Sequence, residues 1–146
     1  MSTRRVSATR VIPAPPERIF NLLADPRQHA RLDGSGTVRA PRRAPERLSL
    51  GATFAMDMKL GPGYVTSNKV VAFEENRCIA WHHVARFVWR YDLEPVDGGT
   101  RVTESFDYSV PWGVFMIPLK VPERNRQSME RTLERLEELV TTEPGA

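Results

Sequence analysis

Apolar and polar residues alternate with a period of two through most of the middle of the chain, and towards its end the period lengthens to that of a helix. Phe54, Met56, Met58 and Leu60 fall on one side of a strand pattern, with Thr53, Ala55, Asp57 and Lys59 on the other. Gly61-Pro62-Gly63 then reads as a tight turn. Tyr64 to Phe73 is a further strand whose inward phase stays open, because Val70 and Val71 are both apolar and a bulge would shift the frame. Cys78 to His83 resumes alternation, with Ile79, Trp81 and His83 on a common face.

Two alternating patterns meet at Val96-Asp97-Gly98-Gly99, and there the turn itself fixes register. Asp-Gly predicts a two-residue type I′ hairpin with φ positive at both central residues. Counting back from it pairs Val96 with Gly99, Leu93 with Val102, Tyr91 with Glu104, Trp89 with Phe106 and Phe87 with Tyr108. That face is apolar and aromatic. The opposite face pairs Glu94 with Arg101, Asp92 with Thr103 and Arg90 with Ser105, as a solvated side would. Glu104 alone breaks the apolar face, with the Tyr91 phenol as its predicted neighbour; such a carboxyl is either satisfied locally or awaits a ligand. A three-residue loop at Val84-Ala85-Arg86 would set Trp81 opposite Trp89 and His83 opposite Phe87.

At the start of the chain, Thr3 to Ile12 alternates as a first strand with Val6, Ala8 and Ile12 on one face. Pro15 or Pro16 suits the first turn of a helix carrying Ile19, Phe20, Leu22 and Leu23, which Asp25-Pro26 ends. A second short helix follows with Asp25 as N-cap, running to about Leu32, where Asp33-Gly34-Ser35-Gly36 breaks it. Met129, Leu133, Leu136 and Leu139/Val140 recur at helical spacing, predicting a long amphipathic helix over about Glu123–Thr142 after Pro122 and before Pro144-Gly145. Between sheet and helix, residues 109–121 are apolar and interrupted by Pro111 and Pro118. This stretch should cover the mouth of the sheet or meet a partner.

With 146 residues the chain is one domain by length, 1–146, with enough sequence for a substantial core. A single cysteine, Cys78 in a strand pattern, excludes an internal disulfide or a Cys-cluster metal site and reads as a buried thiol. No apolar run reaches the ~20 residues of a membrane span and no secretory leader is evident, so a cytoplasmic protein is expected. The formal charge of +3 is uneven: residues 1–50 carry ten Arg against four acids, and Arg39, Arg42, Arg43 and Arg47 crowd a Pro-containing loop that could contact phosphate. Without interleaved aromatics or a reading helix, that loop does not point to nucleic acid.

The segments "PAPPERIFNLLADP", "LDGSG", "IAWHHVARFVWRYDLEPVDGGTRVTESFDYS" and "PERNRQSMERTLERLEELV" together resemble the polyketide cyclase/dehydrase-like branch of the START/Bet v 1-like (SRPBCC) superfamily over nearly the whole chain. The resemblance implies an α+β helix-grip fold: a curved antiparallel sheet of about seven strands wrapped around the C-terminal helix, with two short helices after the first strand and a cavity between sheet and helix. It implies fold rather than chemistry, since such domains serve as carriers, receptors and ring cyclases, and it carries over no catalytic residue.

The strand phases place Phe54, Met56, Met58, Trp81, His83, Trp89, Tyr91, Glu104, Phe106 and Tyr108 on the cavity face, as candidates for binding an apolar, flat or adaptable ligand. Glu104 and Tyr91, with His83, are the acid/base candidates, since a desolvated carboxyl beside a phenol could move a proton on a bound carbonyl or enol. His82 should point outward and His29 should lie on a surface helix, so the histidines make no metal site. No phosphate loop, nucleophile elbow or dinucleotide fingerprint occurs, and no cofactor is expected. Three functions stay open: binding or carrying of a hydrophobic small molecule such as a lipid, polyketide or aromatic; polyketide cyclase/dehydratase-type catalysis by Glu104 and Tyr91; and docking of a partner through residues 110–121. The residues leave oligomeric state undetermined.

Overall fold

The computed structural model describes residues 4–34, 38–58, 64–82 and 86–142, and at 39–43, 57, 58, 64 and 66 the backbone alone. Its elements run β1 (Arg5–Ile12), α1 (Pro16–Leu23), a 3-10 turn (Pro26–Gln28), α2 (His29–Leu32), β2 (Val38–Arg43), β3 (Thr53–Met58), β4 (Tyr64–Glu74), β5 (Cys78–His82), β6 (Val88–Val96), β7 (Gly99–Asp107), a second 3-10 segment (Pro111–Met116) and α3 (Val121–Thr142). The strands form one antiparallel sheet in the order β1-β7-β6-β5-β4-β3-β2. This is the expected α+β helix-grip arrangement, with seven strands among the described residues.

Local chemistry explains the element ends. Pro15 caps α1 and Pro16 opens it, where a missing N–H costs nothing. The Asp25 carboxylate accepts from Arg27 N–H at 3.0 Å, capping the turn that leads into α2. The helix predicted from the Met129/Leu133/Leu136 spacing is present as α3, with Met129, Leu133, Leu136 and Val140 buried.

The β6–β7 register matches the one read from the hairpin, from Val96↔Gly99 through Leu93↔Val102, Tyr91↔Glu104 and Trp89↔Phe106. Trp81 faces Trp89 across β5–β6, and Arg101 pairs with Glu94 at 3.1 Å on the outer side. The turn type differs from expectation. Gly98 has φ 87°, but Asp97 is not among the residues with positive φ, so the signs are those of a type II turn rather than type I′. Register survives because the cross-strand apolar pairs select it independently of the turn. The open phase of β4 resolves as a bulge: pairing with β5 shifts between Val70 and Ala72, so Asn68 and Val70 turn inward while Val71 is exposed.

Residues 38–43 are a strand on the sheet edge rather than part of an Arg-rich loop. Arg47 is engaged structurally, 2.6 Å from Glu75 and 5.7 Å above the Phe20 ring. The turn at 61–63, the loop positions 84 and 85, His83 and the 144–145 stop lie outside the described residues.

The helices sit on the inner face of the sheet, and α3 packs chiefly over β1 and β7. Ile12, Ile19, Val102, Leu133 and Leu136 form the sealed part of the core. A sheet of seven strands is wider than one helix can cover, so the inner face of β3 to β6 is left to the N-terminal half of α3 and to α2.

Candidate functional site

Between that uncovered inner face and the first turns of α3 lies a cavity of about 800 Å³. Its wall is built by alternation: Phe54 and Met56 from β3, Asn68 from β4, Trp81 from β5, Trp89 and Tyr91 from β6, Glu104 and Phe106 from β7. The helical side contributes Leu23, His29 and Leu32, and from α3 Arg124, Met129 and Thr132 among others. Ring-to-ring contacts recur along the wall. Trp81 is 5.9 Å from Tyr91 and 5.7 Å from Phe54, and Trp89 lies 4.7 Å from Phe106.

Glu104 is 4% exposed. The Tyr91 hydroxyl is hydrogen-bonded to its carboxyl group, while Oε1 is buried with no partner among the described residues. Burial disfavours the ionised form, and the Asp33 carboxylate adds to that; the Tyr91 hydrogen bond opposes them, and the balance places the pKa at about 8. Tyr91 is pushed well above the usual phenol range, first by its own burial and then by Glu104. At neutral pH both groups therefore carry their protons. Among the described residues the two O–H groups share a single hydrogen bond, which leaves one O–H for a third partner.

Of the residues expected on the cavity wall, Phe54, Met56, Trp81, Trp89, Tyr91, Glu104 and Phe106 line it. Tyr108 does not: it is buried and stacks on Phe106 at 5.7 Å, outside the lining. The Met58 side chain and His83 lie outside the described residues. His29 is not on an exposed helix face, as its sequence context suggested. It is buried and stacks on Trp81 at 5.1 Å, and its Nε2–H donates to the Leu23 carbonyl at 3.0 Å. Burial lowers its pKa, so the ring is neutral with Nδ1 as acceptor. Asn68 was another omission, hidden by the ambiguous phase of β4; its Nδ2 donates to the Phe54 carbonyl at 3.3 Å. A period-two reading that placed the bulge at Val71 would have found it. Among the described residues no group of three or more His, Cys, Asp or Glu comes together as a metal site.

An apolar, aromatic-lined cavity under the last helix of a helix-grip fold narrows the family, and comparison decides it. The family model described as polyketide cyclase / dehydrase and lipid transport matches residues 3–141. The chain belongs to that family. The matched stretch of this polyketide cyclase/dehydrase and lipid transport domain includes every residue that lines the cavity. The chain is 42% identical over 106 residues to an uncharacterised protein of Mycobacterium tuberculosis strain H37Rv, an alignment covering 71% of this chain and 47% of that protein. It thus spans about half the length of the curated relatives it matches. Among solved structures, protein NE0264 of Nitrosomonas europaea superposes with a TM-score of 0.74 at 15% identity, covering 97% of both chains. The AHSA1-like protein of Aeromonas hydrophila superposes at 0.71 with 17% identity, covering 94% of this chain and 92% of that one. These likenesses show the fold of the family domain. Among the described residues no helix is long and apolar enough to cross a membrane.

Proposed function

We propose that this domain binds an apolar small molecule in the cavity and anchors it through a hydrogen-bond acceptor, a carbonyl or hydroxyl oxygen, at Glu104 and Tyr91. The observation that carries this reading is Glu104 Oε1, buried and without a partner among the described residues, in the wall of an aromatic-lined space. A buried polar atom left unsatisfied costs ~1–3 kcal/mol, and a ligand oxygen that meets the free O–H recovers it. The aromatic and thioether lining supplies affinity by area, and the single polar point supplies orientation. The family's description as lipid transport supports the same reading.

The test is binding of matched polycyclic or long-chain pairs that differ only by a ketone, followed by quenching of the tryptophans Trp81 and Trp89. The ketone should bind about tenfold more tightly than its hydrocarbon match, as one net hydrogen bond provides. Glu104→Gln, which keeps a donor and an acceptor, should retain most of that preference, and Glu104→Leu should abolish it. Equal affinities for ketone and hydrocarbon would refute the anchor.

A second reading is favoured by one observation, the Glu104 pKa of about 8. An acid that titrates near neutrality is matched to giving and recovering a proton, as a cyclisation or dehydration requires. This version requires that Glu104→Gln bind substrate as tightly as the unmodified chain but turn it over at least ~100-fold more slowly. Unaltered turnover would remove it.

A further inference from the structure

The described residues expose nine large apolar side chains, and five of them (Trp112, Val114, Phe115, Ile117 and Leu119) fall within eight consecutive positions. We propose that this ridge, residues 111–120, is a docking face for the surface of an anionic lipid bilayer, placed at the mouth of the cavity. Phe115 is 69% and Leu119 63% exposed, values that a segment folded only for its own stability would not retain. The same segment turns Met116 inward to line the cavity, and Val121, one residue past the ridge, lines it as well. One layer of chain therefore separates the cavity from whatever covers the ridge.

Charge selects the occupant. Lys120 closes the ridge and Arg124 follows one turn into α3, at the cavity wall. Arg4 ties the base of the ridge through the Val110 carbonyl at 2.6 Å, adding a third cation beside it. The nearby Glu123 carboxylate is held by Arg126 at 2.6 Å. Aromatic and aliphatic side chains projecting next to basic ones are what the interface of an anionic membrane accepts, with each basic residue worth about fivefold in binding near the surface. A second copy of the chain fits less well. A two-fold contact through this ridge would gather the same cations, Lys120 and Arg124, from both copies at one patch. The proposal stands apart from the identity of any ligand; should the cavity take apolar cargo, the ridge would set its opening against the membrane.

The experiment is flotation of the full chain with vesicles of phosphatidylcholine alone and of phosphatidylcholine containing phosphatidylglycerol, in low and high salt. Quenching of tryptophan emission by brominated lipid selects Trp112, since Trp81 and Trp89 line the cavity, and displacement of a fluorescent apolar probe from the cavity is measured in parallel. Association with the anionic vesicles is expected, weakening with salt. The double variant Phe115→Asp/Leu119→Asp should bind at least ~10-fold more weakly, and Lys120→Gln roughly fivefold more weakly. Probe binding in the cavity should be the same in all three chains, which also shows the variants folded. Absence of vesicle association, or association that Phe115→Asp/Leu119→Asp leaves intact, would overturn the proposal. So would sedimentation showing a dimer of the unmodified chain that the double variant dissociates, since the ridge would then be a contact between copies. Loss of probe binding in the unmodified chain would count against the cavity reading instead, whatever the vesicles show.

Discussion

Glu104 is a glutamate in a place that favours glutamic acid. Its pKa rises from 4.5 unfolded to about 8 folded, so between those values the native state holds a proton that the unfolded chain has released. Stability therefore falls as pH rises through this window, by a few kcal/mol at most, and is fully recovered below the unfolded value. Urea unfolding at pH 5 and at pH 8.5 should show that loss in the unmodified chain, and Glu104→Gln should remove this component. Above pH 8 the Gln variant should be the more stable protein. Tyr91 acts in the other direction, since its hydrogen bond lowers the Glu104 pKa. Tyr91→Phe should accordingly move the carboxyl titration to still higher pH, which carbon-detected NMR of the glutamate side chain would follow. A downward move would mean that the phenol does not donate to this carboxyl. His29 adds a separate slope on the acid side: its pKa is lowered by burial, so its neutral ring favours the fold above the usual imidazole value, and that contribution is lost as pH falls.

Among the elements, those fixed by local rules were legible in the sequence and those fixed by distant contacts were not. The β6–β7 pairing followed from an Asp-Gly turn and a face of matched apolar pairs, and it put Glu104 opposite Tyr91 without any tertiary information. Turn geometry was less accessible, because register depends on loop length and side-chain pairs while the φ of Asp97 answers to the twist around it. His29 looked exposed because α2 is a single turn of four residues, too short to show an amphipathic stripe; its burial depends on Trp81, more than fifty residues away. Asn68 was hidden by the β-bulge after it. Gly34 illustrates the same limit. In sequence it is a helix breaker, yet a Cβ there would lie 2.2 Å from the Ser128 carbonyl oxygen, and its N–H donates to Thr132 Oγ1 at 2.8 Å. Arg131 and Arg135 reach back to the carbonyls of Gly34 and Asp33, so this short loop is stitched to α3 along the cavity rim. Gly34→Ala should push α3 away and cost at least ~2 kcal/mol by chemical denaturation, with weakened cavity binding. An alanine tolerated within ~0.5 kcal/mol would show that the loop can stand off without loss.

At the scale of the whole molecule, the fold divides the inner face of one sheet between a dry core and an open one. α3 seals β1 and β7 with Leu133, Leu136 and Val140, and towards its N-terminus the lining changes to Arg124, Asn125, Gln127, Ser128 and Thr132. Polar residues interleaved with Val121 and Met129 at that end of the helix leave the sheet open there, beside the cavity of about 800 Å³. An apolar ligand that fills this space gains dispersion contacts with the wall residues, so its binding should stabilise the protein. A ketone-bearing apolar ligand at about 100 times its dissociation constant should add ~2.7 kcal/mol. For a chain of this size that corresponds to a rise in melting temperature of roughly 5–10 °C. The rise should shrink in Glu104→Leu, and in the unmodified chain it should decline above pH 8 as the carboxyl ionises and its proton is no longer there to donate. Thermal unfolding monitored by circular dichroism across that pH range separates the two contributions. A shift that is independent of both pH and Glu104 would mean that the cavity recognises area alone.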